Sequence, residues 1–276
     1  MREDLFSIKG RVIVVTGGGG LIGKKHAEAI LEGDGIPVLL DIAQPGLDRA
    51  KTQLLEMYPD AAIETFVTDI TDRDKLCQVR DYLMDKYGHI DGLINNAANN
   101  PKVEGGSKNL DAIQFHNFPL SLWNDDIAVG LTGSMFCAQV FGEIMAKAGK
   151  GIIINISSDY GIISPNQEIY RKEGLPESQQ IVKPVSYSVV KHGIMGLTKY
   201  LAVYWAKQGV RVNTLCPASL ENGQDPEFIQ KISKLIPLGR MSNPDEYVGT
   251  VLYMLSDACS YMTGATVVLD GGRTIW

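Results

Sequence analysis

Two side chains that could handle a proton stand four residues apart in the stretch "YSVVK": Tyr187 and Lys191. On a helix that spacing puts both on one face. A free tyrosine hydroxyl titrates near pH ~10, so service as an acid or base near neutrality requires stabilising its anion by about 4 kcal/mol. A neighbouring ammonium favours the phenolate. Such a pair is common on protein surfaces, so its meaning depends on what else the chain places beside it.

A second stretch suggests what that is. "TGGGGLIG", Thr16 to Gly23, follows the branched apolar run "RVIVV". A glycine-rich turn between a strand and a helix lets a pyrophosphate approach bare backbone, where N–H groups at the helix start receive its charge. Asp41 ends the next apolar run, 18 residues after Gly23. That is where a dinucleotide fold needs an acid for the adenosine ribose hydroxyls. A 2′-phosphate would add like charge beside Asp41, and Ile42, Ala43 and Gln44 offer no cation. NAD is therefore preferred over NADP; Lys24 and Lys25 are the residues that could tip the choice the other way.

The elements that must position these residues alternate. Apolar runs at 11–16, 36–41, 62–69, 91–95, 151–157, 210–216 and 265–270 read as strands. Patterns at 21–32, 46–58, 71–88, 121–147, 186–208 and 244–255 read as helices, the third opening on a Thr71/Asp74 capping box. This alternation predicts an α/β fold: a doubly wound, seven-stranded parallel sheet with helices on both faces, one domain over 1–276. Three long polar loops, 98–118, 159–185 and 218–243, each follow the C-terminal end of a strand, where such sheets bind ligands.

Composition narrows the classes. Hydrophobic residues make up 45% of the 276, enough for a sizeable core, and the formal charge of −6 argues against nucleic acid. Cys77, Cys137, Cys216 and Cys259 form no CxxC pair and no Cys/His cluster with zinc spacing, so no metal is expected and the thiols read as buried and reduced. No signal-like segment opens the sequence, and no apolar run approaches the ~20 residues of a membrane span. The expectation is a soluble, cytoplasmic protein without membrane contact.

Taken in order, "TGGGGLIG", "VTDITD", "NNAA", "NISS", "YSVVK", "RVNTLCP" and "SYMTGATVVLDGG" resemble the short-chain dehydrogenases/reductases over nearly the whole length. The resemblance implies a single-domain Rossmann fold and an oxidoreductase that moves a hydride between nicotinamide and a CH–OH carbon. It implies Tyr187 as general acid/base, Lys191 as the ribose-binding residue that depresses the tyrosine pKa, and Ser158 as the residue that orients the substrate oxygen. The cofactor would rest on Gly17, Gly20, Leu21, Ile22 and Gly23. Asp41 would hold the ribose, and Asp69 and Ile70 would flank the adenine. Asn95, Asn96 and Ala97 would form a wall, with Pro217 and Ser219 near the nicotinamide. A homo-oligomer, a tetramer, is implied, with helices 121–147 and 186–208 pairing through residues such as Met135, Phe136, Val140, Leu201 and Tyr204.

Four departures from the family pattern stand out. The spacing Gly17-Gly20-Gly23, with Leu21 inside it, looks like that of sugar-nucleotide members. Gly130 in "VGLTG" stands where the family carries asparagine, and a water chain from Lys191 is expected to fill the missing volume. Ser158 and Tyr187 lie 29 apart, which makes 159–185 an insertion. Pro217-Ala218 replaces the family's Pro-Gly, and the threonine expected soon after gives way around Glu221 and Asn222.

Asn166, Gln167, Glu168, Arg171 and Lys172 in the insertion suit a hydroxylated or charged small-molecule substrate, and Asp159 and Tyr160, beside Ser158, are its candidate contacts. The chain also resembles a branch associated with flagellin modification, nonulosonate sugars and gluconate. A sugar or sugar derivative is therefore the expected substrate. The alternatives are a 3-oxoacyl-thioester ketoreductase and a dinucleotide-binding sensor or scaffold without turnover.

Overall fold

The structure is a computed structural model that describes residues 5–99 and 110–276. Part of the expected 98–118 loop, 100–109, lies outside them. The strands are β1 (Val12–Thr16), β2 (Ile36–Asp41), β3 (Glu64–Val67), β4 (Gly92–Asn95), β5 (Gly151–Ile156), β6 (Val210–Pro217) and β7 (Thr266–Leu269). The helices are α1 (Leu21–Glu32), α2 (Gln44–Met57), α3 (Arg73–Tyr87), α4 (Leu120–Ala148), α5 (Val185–Tyr204), α6 (Pro226–Ser233) and α7 (Val248–Leu255). All strand pairs are parallel, in the order β3-β2-β1-β4-β5-β6-β7. The expected doubly wound sheet is therefore present, and its order reverses between β1 and β4, the place where such sheets open a crevice.

Alternation along the strands decides which helix covers which face, because successive side chains point to opposite sides. Ile13, Val15, Ile152 and Ile154 pack with Ala27 and Ile30 of α1, Leu54 of α2 and Val251 of α7. Val12, Val14, Ile153 and Val212 pack with Leu83 of α3, Phe141 of α4 and Leu201 of α5. Burial on both faces explains why the strands read as unbroken apolar runs rather than alternating ones.

Local details differ from expectation in instructive ways. Asp72, not Thr71, caps α3, accepting from the Lys75 N–H at 3.1 Å, while the Thr71 hydroxyl turns back to Asp69 at 2.7 Å. The carboxylate one residue later is the better-placed acceptor. Helix α5 stops at Tyr204, short of 208, where Trp205 leaves helical geometry, and a 3₁₀ turn over Ala206–Gln208 leads on to Gly209 at φ +71°. Helix α4 contains two wide π-type turns, Ala128–Gly133 and Ala138–Gly142. By length and composition α4 could also cross a membrane, contrary to the reading of apolar runs. Its apolar character has another outlet: Cys137, Val140, Phe141 and Met145 are buried in the core against the sheet.

The 218–243 loop holds α6, which the sequence reading left as loop. Asp225 caps it, accepting from Glu227 N–H at 3.0 Å, and Pro226 opens it. The 159–185 insertion is built from short 3₁₀ turns. The two loops pack together: Ile169 and Tyr170 meet Phe228, Ile232 and Met241 in a small core of their own. Lys172 pairs with Asp225 at 3.0 Å and Lys231 donates to the Arg171 carbonyl at 2.7 Å. The insertion is thus an ordered cover over the C-terminal ends of β5 and β6.

Candidate active site

The glycine loop is shaped by close approach. Gly17 sits at φ +65°, and a Cβ there would come within 3.0 Å of the Asn96 side chain. A Cβ on Gly23 would lie 2.1 Å from the Gly17 carbonyl, so α1 starts against the loop only because both residues are bare. Gly20 begins α1 with no side-chain cap, which leaves helix-start N–H groups for an anion. Asp41 accepts from the Gly19 N–H and the Ala43 N–H, each at 3.0 Å, so its carboxylate is held at the loop's edge. Lys24 reaches Gln53, and Lys25 reaches Glu28 and Asp245; neither bonds Asp41.

Beneath the crevice a polar chain fixes the floor. The Asn95 amide donates to Asn155 at 2.8 Å, Asn155 donates to Thr198 of α5 at 2.9 Å, and Thr214 of β6 joins at Thr198 at 2.8 Å. Asn96 bonds the Thr16 carbonyl at 2.9 Å, tying the end of β4 to β1. This network locks α5 to three strands, and α5 carries Tyr187 and Lys191 on one face. The Lys191 ammonium donates to the Ile156 carbonyl at 2.9 Å, and the Ser157 hydroxyl donates to the Lys191 carbonyl at 2.6 Å.

Ser158 follows β5. Its hydroxyl donates to Asp159 at 2.6 Å and faces the crevice with Tyr187. Burial pushes the Tyr187 hydroxyl up to about 12, with the neighbouring Ser158 hydroxyl acting the other way. Burial, followed by the charge of Lys183, pulls Lys191 down to about 8. For Tyr187 the direction is opposite to the one the sequence reading expected, because removal from water penalises the phenolate.

One crevice of about 510 Å³ unites these parts. Gly17, Gly20, Leu21, Ile22, Gly23, Asp41, Asn96 and Ala97 line one end. Ser158, Tyr187, Lys191, Pro217 and Ser219 line the other, with Asp159 and Tyr160. Three expected residues fall outside its wall. Asn95 lies below, in the polar floor. Asp69 turns its carboxylate to Thr71, and Ile70 is buried in the core, where it fills the space a side chain on Gly133 would need.

Asp159 and Tyr160 reach the crevice, but their polar atoms are engaged. Arg273 bonds the Asp159 carboxylate at 2.7 Å and the Tyr160 hydroxyl at 3.0 Å, and Tyr170 meets that hydroxyl at 3.0 Å. Their first role is to shape the loop. The same holds in the insertion: Asn166 caps Glu168, Gln167 bonds Lys183, and Arg171 pairs with Glu177, so these groups build the cover rather than face the crevice.

The sequence reading missed Arg273 and Lys183. Arg273 directly follows the quoted "VVLDGG", and a cation so near a C-terminal strand end was the available signal. Gly130 is also explained differently. A Cβ there would sit 2.3 Å from a Val190 methyl, so most of the missing volume is filled by α5 rather than by water. What remains is a cavity of about 10 Å³, lined in part by Asp126, Gly130, Tyr187 and Lys191, at the lower limit for one water.

Comparison with known proteins agrees with this geometry. The sequence model of the family described as enoyl-(acyl carrier protein) reductase matches residues 20–274. The NAD-dependent glycerol dehydrogenase of Listeria innocua is 30% identical over 98% of this chain and 96% of its own. The chain is a short-chain dehydrogenase/reductase. The D-threitol dehydrogenase of Mycolicibacterium smegmatis is 29% identical, covering 98% of the enzyme and 95% of its own length. Among solved structures, a gluconate 5-dehydrogenase from Burkholderia cenocepacia, in complex with NADP and tartrate, superposes on the enzyme with a TM-score of 0.81 at 26% identity, over 99% and 98% of the two chains. Membership makes this dehydrogenase/reductase an NAD(P)-dependent oxidoreductase of CH–OH groups.

Proposed function

We propose that the enzyme, working as one dinucleotide-binding domain, interconverts a carbinol and a carbonyl on a sugar, sugar acid or other sugar derivative, with NAD as the preferred cofactor. The carrying observation is the single crevice that holds Ser158, Tyr187 and Lys191 at one end and the bare glycine loop with Asp41 at the other. The cradle fits a dinucleotide: side chains at Gly17 or Gly23 would collide with its floor, and α1 opens uncapped. Asp41, bonded by no cation among the described residues, suits ribose hydroxyls better than a phosphate. The relatives named for glycerol, threitol and gluconate support the substrate class.

When bound, the nicotinamide supplies the hydride acceptor or donor. The protein's part is proton handling and positioning. Tyr187 takes the proton of the carbinol hydroxyl in oxidation and returns it in reduction. Ser158, whose own proton is directed to Asp159, presents acceptor lone pairs to a substrate hydroxyl. Lys191, anchored on the Ile156 carbonyl, holds positive charge beside the tyrosine and the ribose site.

A panel of polyols, sugars, sugar acids, nucleotide sugars and acyl thioesters, followed through NADH absorbance, tests the reading. A best kcat/KM for a polyol or sugar derivative is expected. A best value for an acyl thioester would replace the substrate class with that of the thioester ketoreductases, and cofactor binding without turnover would favour a sensor.

We further propose a cytoplasmic homotetramer. Tyr200, Val203 and Tyr204 of α5 and Met135 of α4 are exposed apolar residues that suit a two-fold helix interface, whereas Val140 and Leu201, first expected there, are buried within the protomer. The four free cysteines suit a reducing compartment. A monomeric mass at micromolar concentration would contradict the assembly.

A further inference from the structure

Lys183 stands four residues before Tyr187, in the last stretch of the insertion. Its backbone is clasped by one side chain: Lys183 N–H donates to the Gln167 amide oxygen at 2.9 Å, and the Gln167 amide nitrogen donates back to the Lys183 carbonyl at 3.2 Å. Pro184 follows and starts α5. The clasp sends the side chain into the crevice, where the ammonium lies 3.7 Å from the centroid of the Tyr187 ring. The Lys191 ammonium is 5.7 Å from the same centroid. Among the described residues, the cation nearest the face of the tyrosine ring is therefore supplied by the insertion.

A cation over an aromatic face is attracted by the ring quadrupole, more strongly where water is excluded. Ionising the hydroxyl adds a full negative charge that spreads into the ring, so the same cation holds the phenolate more tightly than the phenol. We propose that Lys183, clasped by Gln167, is a second positioning cation of Tyr187, so that two lysines rather than one favour its ionised form and fix its ring.

The other groups facing this cation fit the role. Asp159 after β5 and Asp126 of α4 raise the proton affinity of Lys183 against the burial that brings it down to about 8. The Asp159 carboxylate is bonded by Arg273, and Asp126 accepts from the Ser186 hydroxyl. Among the described residues, Ser158, Tyr160 and Cys216 also act on Tyr187, and none of them is a carboxylate. Where two such groups interact, their protons come off in steps that belong to the pair, so the observable is the midpoint of the pair. The inference also assigns a purpose to the insertion: Gln167 spans 16 residues to fix the backbone that carries the cation.

The inference rests on Tyr187 being the acid/base, and the experiment separates the two claims. Full-length wild type, Lys183→Gln, Lys183→Arg, Gln167→Leu and Tyr187→Phe are compared. The pH profile of kcat/KM for alcohol oxidation is measured with the best substrate of the panel. Tyrosinate absorbance is titrated in parallel, subtracting Tyr187→Phe to isolate the one residue.

Lys183→Gln should move the midpoint upward by about one pH unit and lower kcat about tenfold at pH 7, with KM changed less than twofold. Lys183→Arg should restore most of the rate. Gln167→Leu, which keeps the charge but frees the backbone, should shift the midpoint the same way by a smaller amount and serves if Lys183→Gln does not fold. An unmoved midpoint in both Lys183→Gln and Gln167→Leu overturns the inference. So does a raised KM at unmoved midpoint, which would make Lys183 a substrate contact. Full turnover in Tyr187→Phe would instead overturn the acid/base assignment itself.

Discussion

Replacing Arg273 with methionine should damage the enzyme far more than an ordinary surface change, and the structure sets the scale. The Arg273–Asp159 pair is 2.7 Å long, and each side chain is only 3% exposed. Arg273 also donates to the Tyr160 hydroxyl at 3.0 Å and to Ser219 at 3.3 Å, with its guanidinium carbon 4.9 Å from the Tyr160 ring. Methionine keeps much of the packing but leaves the Asp159 carboxylate buried without its cation. Breaking a buried pair from one side costs about 3–5 kcal/mol. At ~2–4 °C per kcal/mol for chains of this size, Tm should fall by roughly 6–20 °C.

Activity should fall too, because Ser158 donates to the same carboxylate at 2.6 Å and would follow it when it moves. Asp159→Asn added to Arg273→Met removes the orphaned charge and should recover at least half of the lost stability. Thermal and denaturant unfolding of the wild type, both single variants and the double variant supply the cycle. A single variant within about 1 kcal/mol of wild type, or a double variant no more stable than Arg273→Met, would refute the argument.

Asp41→Ala should weaken NAD binding and narrow its preference over NADP, measured by titration of both cofactors. Tighter binding of NADPH than NADH by the wild type would show that the acid does not select. Gly130→Val should cost about 1–3 kcal/mol, since its side chain would start 2.3 Å from a Val190 methyl, and Val190→Ala should recover part of that in denaturant unfolding.

The sheet was legible because its strands are short apolar runs bounded by glycine or acids, and because each helix between them shows its own periodicity. Tyr187 and Lys191 were legible because four-residue spacing on a helix guarantees a shared face. What local pattern could not show are the partners joined by the fold. Arg273 meets Asp159 across 114 positions, and no composition signal pairs them. Gln167 reads as a polar group suited to a hydroxylated ligand until its bonds to Lys183 are seen. Helix α6 was hidden for a different reason: Asp225-Pro226-Glu227 is a start signal, but its eight-residue helix is too short to show a clear period. Gly130 reads as an opening and proves to be a contact, because a glycine does not reveal what packs against it.

The central claim is that one tyrosine, Tyr187, carries the proton for hydride transfer in a crevice that binds the cofactor independently. Its most direct test is Tyr187→Phe, assayed for turnover of the best panel substrate and, separately, for NADH binding. The account predicts turnover reduced by about a hundred- to ten-thousandfold, the size of a general acid/base contribution, with the NADH dissociation constant within about threefold of wild type. Turnover near the wild-type rate in a variant that still binds NADH would contradict it.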